Sequence, residues 1–329
     1  MSAAVIDITS VGRATVTVHG HIYKLSPVER QLLTKLGGSP WTIGQATPEV
    51  IAEANDMWTT LSRAAGYASA SRWFTDHITS PKLGKAGVPT VGFTLHAARS
   101  AADAWKASAP EFRHAVATAL GRSEADVAIA LDVTFCPKAT LGCIAGCVTN
   151  HSYHASLTQT QQTRLLRDVF MMMRPDLALA LTADQIRRTV AKAGGKDKAR
   201  WRVNISDDIR WEVIAPGLLD VAPLGYTYTK WLPAERPAVG GLSIVYSANE
   251  RWTDGDIAEA CNTGHRVAVV FDVPKGKLPT TWNQIDVVDG DSTDDLYEHP
   301  AGTIVALAVK GRTADIKEEM ARTGFARAA

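Results

Sequence analysis

Leu242-Ser-Ile-Val-Tyr-Ser-Ala-Asn-Glu-Arg-Trp-Thr-Asp-Gly-Asp-Ile-Ala-Glu-Ala-Cys-Asn-Thr-Gly-His-Arg-Val-Ala-Val-Val-Phe271 is the stretch that decides the fold. Leu242–Tyr246 is β-branched and aromatic and reads as a strand, Thr253–Thr263 reads as a helix, and Arg266–Phe271 as a second strand. Parallel neighbours need a crossover, so strand, helix, strand at this spacing points to a parallel sheet. The alternation extends both ways. Upstream, Trp201–Ile205 reads as a strand, Asp208–Leu219 as a helix and Gly225–Thr229 as a strand. Downstream, Ile285–Val288 and Thr303–Val309 read as strands and Thr313–Arg322 as a closing helix. Earlier still, Val127–Phe135 is expected to be a strand, with helices over Thr158–Met173 and Thr182–Ala193. About six parallel strands from one contiguous segment suit a partial barrel or an open doubly wound sheet. The expectation is α/β, a partial (β/α) barrel-like, mostly parallel sheet.

Residues 1–125 have a different grain, mainly helical with a small hairpin, and 126–329 form the expected barrel-like domain. Ala14–Val18 and His21–Leu25 flank Gly20 as a hairpin would. Ser26-Pro27-Val28-Glu29 is a capping box with proline at the first helical position. Thr47-Pro48 opens a helix with Val50, Ile51, Ala54, Met57, Trp58 and Leu61 on one face. Ser108-Ala-Pro-Glu111 opens another that runs to Gly121.

With 329 residues, 46% hydrophobic content and a net charge of +1, the chain is a globular protein with no charge signature for nucleic acid. It shows no signal-peptide pattern and no apolar run long enough to span a membrane, which leads us to expect a cytoplasmic setting with reduced thiols. No G-x-G-x-x-G follows a strand, and no G-x-x-x-x-G-K-[ST] occurs, so nucleotide cradles of those two types are not supported. Met171-Met-Met173 spreads around a helix and reads as core filler.

Three of the four cysteines fall within twelve residues, Phe135-Cys-Pro-Lys-Ala-Thr-Leu-Gly-Cys-Ile-Ala-Gly-Cys147. In a reducing compartment, clustered Cys136, Cys143 and Cys147 read as metal ligands or redox groups. Structural zinc sites begin with closer pairs and need four ligands, which His151 or His154 would complete. Three thiolates on one loop can instead hold three irons of a [4Fe-4S] cluster and leave the fourth open. Buried free thiols are the bland alternative. Cys261, beside Ala258 and Ala260 on a helical pattern, reads as core.

Arg202, Asn204, Ser206, Asp207 and Asp208 are the densest polar group at a strand end. Alternation places Arg202, Asn204 and Ser206 on one face, where a parallel sheet is ordinarily apolar, so they read as the lining of a cavity. Asn204, Ser206 and Asp208 are the candidate catalytic residues, Asp208 as acceptor or base. Either aspartate could instead cap the helix expected at Ile209. Arg202 is a candidate for ligand binding, as are Tyr226, Tyr228 and Lys230, which share a face opposite Thr227 and Thr229. Ser247, Asn249 and Glu250 could complete a polar rim. The acidic run Asp286, Asp289, Asp291, Asp294, Asp295 lacks the calcium-loop pattern and reads as a surface loop.

In order, four motifs resemble the phage proteins of the gene-product-88 type. They are Gly87-Val-Pro-Thr-Val-Gly-Phe-Thr-Leu95; Cys136-Pro-Lys-Ala-Thr with Cys143 and Cys147; Arg202-Val-Asn-Ile-Ser-Asp-Asp208 with Trp211 and Gly225-Tyr-Thr-Tyr-Thr-Lys230; and Asp289-Gly-Asp-Ser-Thr-Asp294 with Ile304–Leu307, Lys310-Gly311 and Gly324-Phe325. Val148 stands where that family usually has tyrosine, and Asp207 where it usually has glycine. The resemblance implies a phage or prophage origin, a shared site and a defined job for Asp289, Asp291 or Asp294, holding either Lys310 or a substrate, and names no reaction. By layout, the three-cysteine loop on a partial barrel also resembles radical S-adenosylmethionine enzymes, whose spacing differs. That layout implies a [4Fe-4S] cluster with S-adenosylmethionine, acting on a small-molecule or nucleotide substrate in the host cytoplasm. The rivals are a Cys3His zinc enzyme and a non-enzymatic protein that binds a host partner.

Overall fold

The computed structural model describes residues 15–18, 20–78, 80–84, 87–98, 100–147, 158–274, 276–292, 297, 299–310 and 314–329. The first described elements form an antiparallel hairpin, β1 (Thr15–Val18) and β2 (His21–Lys24), turned at Gly20 with φ +79°. Ser26 then caps the helix Pro27–Lys35 through the expected box with Glu29.

The main sheet comprises β3 (Thr75–Asp76), β4 (Thr90–Gly92), β5 (Arg200–Arg202), β6 (Leu224–Thr229), β7 (Leu242–Ser247), β8 (Arg266–Phe271), β9 (Thr281–Trp282), β10 (Ile285–Asp289), β11 (Ile304–Ala308) and β12 (Ala326–Arg327). Its order is β3-β4-β5-β6-β7-β8-β11-β10-β9. Every pair from β4 to β10 along that order is parallel, and β3 and β9 are antiparallel edges. The sheet stays open. β7 pairs with Arg266–Ala268 of β8, while β12 pairs with Val270 and Phe271. The C-terminal strand thus lies beside the end of β8 where β7 has stopped pairing.

Register sorts the two faces. Tyr226, Val245, Ala268 and Val305 form a small cluster with Tyr228 and Leu307 on one side. On the other, Trp201, Ile244, Tyr246, Val267, Val269, Ile304 and Ala306 join the main core with Leu165, Leu166, Val169 and Phe170 of the helix Thr158–Met173. Burial on both faces explains why β7 and β8 are mostly apolar, with Ser243, Ser247 and Arg266 the exceptions. The N-terminal helices attach to this core through aromatic packing, with Trp58 4.9 Å from Trp73 and Phe93 5.9 Å from Trp211, centroid to centroid.

Three expectations are corrected. Val127–Phe135 is not a strand. Glu124–Leu131 is a helix, capped by a Ser123–Asp126 box and burying Val127, Ala130 and Leu131 at helical spacing. Asp208–Leu219 is not one helix but two short ones, Trp211–Ile214 and Gly217–Val221, separated at Pro216, which cannot donate inside a helix. The strand expected over Trp201–Ile205 ends at Arg202, so strict alternation does not carry on to Asn204 and Ser206.

Candidate cysteine-lined site

All the central strands are parallel, so their C-terminal ends lie at one edge of the sheet, where an α/β fold builds its sites. A half-open cavity of about 240 Å³ lies there. Its wall includes Ala97 and Ala98 after β4, Arg202 and Asn204–Asp208 after β5, Tyr228 and Lys230 from β6, and Ser247 and Ala248 from β7. Val270 of β8, Leu307 of β11, Lys310, Met320 and Phe325 close the other side. Cys136, Cys143 and Cys147 all line it and are half-buried. The expected cavity and its cysteines therefore coincide, although a helix and not a strand precedes the cysteine loop.

That loop is held on both flanks. The Phe135 N–H donates to Ala98 O at 2.9 Å, and the Phe135 carbonyl accepts from the Asp208 N–H at 2.8 Å. The Cys136 thiol donates to Ser206 O at 3.4 Å. Lys138 pairs with Glu235 and lies 4.7 Å from the Trp231 ring centre. Cys143 sits on a one-turn helix, Leu141–Ala145, that Thr140 caps. Glu250 accepts from the Thr140 hydroxyl at 2.5 Å and from the Gly142 N–H at 2.8 Å. Two glycines let this turn press against the C-terminal segment. A Cβ on Gly142 would fall 2.6 Å from Phe325 Cβ, and one on Gly146 would fall 2.5 Å from Met320 Sδ.

The polar residues after β5 are mostly engaged within the protein. Asp208 accepts from the Thr229 hydroxyl at 2.7 Å, the Lys230 N–H at 2.8 Å and Arg236 Nη1 at 3.1 Å. Arg236 also forks onto Glu212 at 2.8 and 2.9 Å and is fully buried. Asn204 donates to Asp207 and to Ile209 O and accepts from Thr227. Ser206 donates to Leu95 O. Arg202 donates through Nε to Asn204 O, with its guanidinium 5.6 Å from the Tyr228 ring centre. Tyr226 lies deeper in the strand, wholly buried in the small cluster. Neither aspartate is the N-cap of the next helix, which is Arg210 and makes no side-chain capping bond.

Burial governs the electrostatics. It pushes the Cys136 thiol well above the ordinary value and raises Cys143, partly offset there by Lys230. Burial alone would lower Lys230, but Cys143, Asp208, Cys136 and Cys147 outweigh it and hold the ammonium above the usual lysine range. Asp208 is raised by burial against the pull of Arg236 and Lys230. Burial pushes Asp207 up to about 7 against its bond from Asn204, and the Asp208 charge adds to the rise.

Lys310 forms an ion pair with Asp291, which also accepts the Ala308 N–H at 3.0 Å. Asp289 caps its own turn through the Asp291 and Ser292 N–H groups. His151 and His154 lie outside the described residues, as do Asp294 and Asp295. His96, to which the sequence assigned no role, is paired in the core with Asp168. The bracing by Glu250 and Lys138 and the wall residues Met320 and Phe325 also went unread. The short Gly142–Gly146 spacing was the one local sign of a close approach. Among the described residues, no group of three or more His, Cys, Asp or Glu is arranged to hold a metal ion. No described helix is long and apolar enough to cross a membrane.

Fold and site together define an α/β protein with an open, mostly parallel sheet and a cysteine-lined cavity at its C-terminal edge. The chain belongs to the gene product 88 family, whose model matches residues 95–327 and so takes in the cysteine loop and the strands from β5 to β12. Comparison with curated proteins and with solved structures gives no match.

Proposed function

We propose that this phage-family protein is a metalloenzyme in which Cys136, Cys143 and Cys147 hold an iron–sulfur cluster at the wall of the cavity, in a layout resembling radical S-adenosylmethionine enzymes. The observation that supports it is the presence of all three thiols on one cavity beside the ammonium of Lys230. The donors suit the group by chemistry: three soft sulfurs for iron and a fixed positive charge to offset thiolates. When bound, a [4Fe-4S] cluster on three cysteines supplies an electron and leaves one iron open to a small ligand such as S-adenosylmethionine.

The remaining residues act on geometry and charge. Burial favours the protonated form of Cys136 and Cys143, so loading displaces their protons, and Lys230 favours the Cys143 thiolate that results. Asp208 fixes the Lys230 backbone and, through Arg236, ties the site to the core. Asn204 and Ser206 shape the wall through bonds to the neighbouring strands. Arg202 and Tyr228 border the space left for a small-molecule substrate, of which a nucleotide or nucleobase is the class we favour. The setting we assign is the reducing host cytoplasm, where such thiols persist.

Iron, acid-labile sulfide and zinc are to be measured on protein prepared without oxygen, alongside Cys136→Ser, Cys143→Ser and Cys147→Ser. The reading requires iron and sulfide in the parent and their loss in each folded variant. Stoichiometric zinc without iron would replace it with a Cys3His site completed by His151 or His154.

A further inference from the structure

Lys230 follows the last residue of β6 on the cavity wall, and the fold leaves its ammonium unbonded. The backbone is fixed: the Lys230 N–H donates to Asp208 at 2.8 Å, and the Thr229 hydroxyl binds the same carboxylate. The residue is half-buried, yet its ammonium makes no hydrogen bond or ion pair among the described residues, with a carboxylate or with a thiol. It is not sealed away. The ammonium keeps accessible surface, which the unbonded Asp207 Oδ2 does not.

The other charges on this wall are committed. Arg202 donates through Nε to Asn204 O and lies over the Tyr228 ring, and Lys310 pairs with Asp291. Asp208 has Thr229, the Lys230 N–H and Arg236 as donors, and Asp207 has the Asn204 amide. A half-buried cation without a partner is costly unless something arrives to pair it. Lys230 also lines a second space, a groove of about 480 Å³, together with Leu232, Asn249, Arg251 and Trp252. The exposed Arg251 guanidinium makes no bond among the described residues, so the groove adds a second available cation. Of the acids there, Glu235 pairs with Lys138 and Asp256 is bonded to Thr253, which leaves Glu259 exposed.

We infer that Lys230 anchors an oxyanion of the ligand, a phosphate or a carboxylate, where the cavity and the groove share its side chain. The inference rests on reading the cavity as a ligand site and deepens it: of nucleotide and nucleobase, the charged nucleotide is the one that completes Lys230. It does not depend on which metal the cysteines hold. A neutral analogue leaves the ammonium unpaired, so the site discriminates against it.

The test uses phenyl phosphate, benzoate and benzyl alcohol, which share one ring, with binding followed by calorimetry on the full chain. At least one of the anions is expected to bind about tenfold or more tightly than the alcohol. In Lys230→Met, which keeps the stem and removes the charge, that ratio falls to about one. Lys230→Gln gives the same readout should the methionine variant fold poorly. The anion that is preferred names the group: phenyl phosphate supports the nucleotide, and benzoate supports a carboxylic acid in its place. No saturable binding of either anion overturns the inference, as does a preference that survives in both variants. Benzyl alcohol bound as tightly as the anions keeps the ligand site and overturns the anchor. Metal content of the same samples keeps the two ideas apart. Anion selectivity in protein without iron retains this inference and removes the cluster, and iron with no selectivity does the reverse.

Discussion

Removing the carboxylate of Glu250 is expected to free the cysteine turn while leaving the sheet intact. Glu250 accepts the Thr140 hydroxyl and the Gly142 N–H at 2.5 and 2.8 Å, and both donors belong to the start of the Leu141–Ala145 turn. An intramolecular hydrogen bond contributes about 1 kcal/mol net, and the half-buried position of Glu250 keeps each of its two bonds near that figure, about 2 kcal/mol together. Glu250→Ala should therefore lower the cost of opening this turn by about 2 kcal/mol, or roughly 30-fold in the open population. The assay is native-state alkylation of metal-free, reduced protein by iodoacetamide, followed peptide by peptide. Cys143 should react about 30-fold faster in the variant. Cys261, buried in the main core away from the turn, should keep its rate. Glu250→Gln keeps one acceptor and should fall between. A Cys143 rate within about threefold of the parent would refute the bracing role. A parallel rise at Cys261 would show that the effect is global and not local.

Asp207 supplies a pH dependence. Its folded-state value of about 7 lies above the ordinary 3.8, so between them the folded chain holds a proton that the unfolded chain has lost. Its contribution is therefore absent below about pH 4 and becomes destabilising as pH rises, fully so above about pH 7. The gap sets a ceiling of about 4 kcal/mol. Urea midpoints for the parent should fall relative to Asp207→Asn between about pH 4 and pH 7, and parallel curves would contradict this. The glycines give a contrast. A Cβ at Gly217 would fall 2.8 Å from Thr42 C and 2.9 Å from Thr42 Cα, which are backbone atoms, whereas at Gly146 it meets the flexible Met320 side chain. Gly217→Ala should cost more than about 3 kcal/mol and Gly146→Ala about 1–2, with Met320→Ala recovering only the latter, all by urea unfolding.

What the sequence made legible follows from how local each signal is. The β7–helix–β8 unit could be read because both strands are buried on two faces and Thr253 with Asp256 forms a capping box. The strand expected over Val127–Phe135 gives way to a helix ending at Leu131 because a short apolar run carries no period of its own, and the Ser123–Asp126 box that marks the helix lies just outside it. The cysteines and the Arg202–Asp208 group announced a site, and the fold brings them onto one cavity. That Asp208 would be held by Arg236 and Thr229 could not be read, because both donors arrive from distant segments. Nor could the closing of the wall by Met320 and Phe325, since the insertion of β12 beside β8 is a tertiary event.

Iron and sulfide content of anaerobically prepared protein tests the central claim most directly. The account predicts brown protein with about four irons and four sulfides per chain, reduced to background when Cys136, Cys143 and Cys147 are all replaced by serine in a chain that still folds. Colourless protein that takes up neither iron nor sulfide, even when both are supplied under reducing conditions, would contradict it.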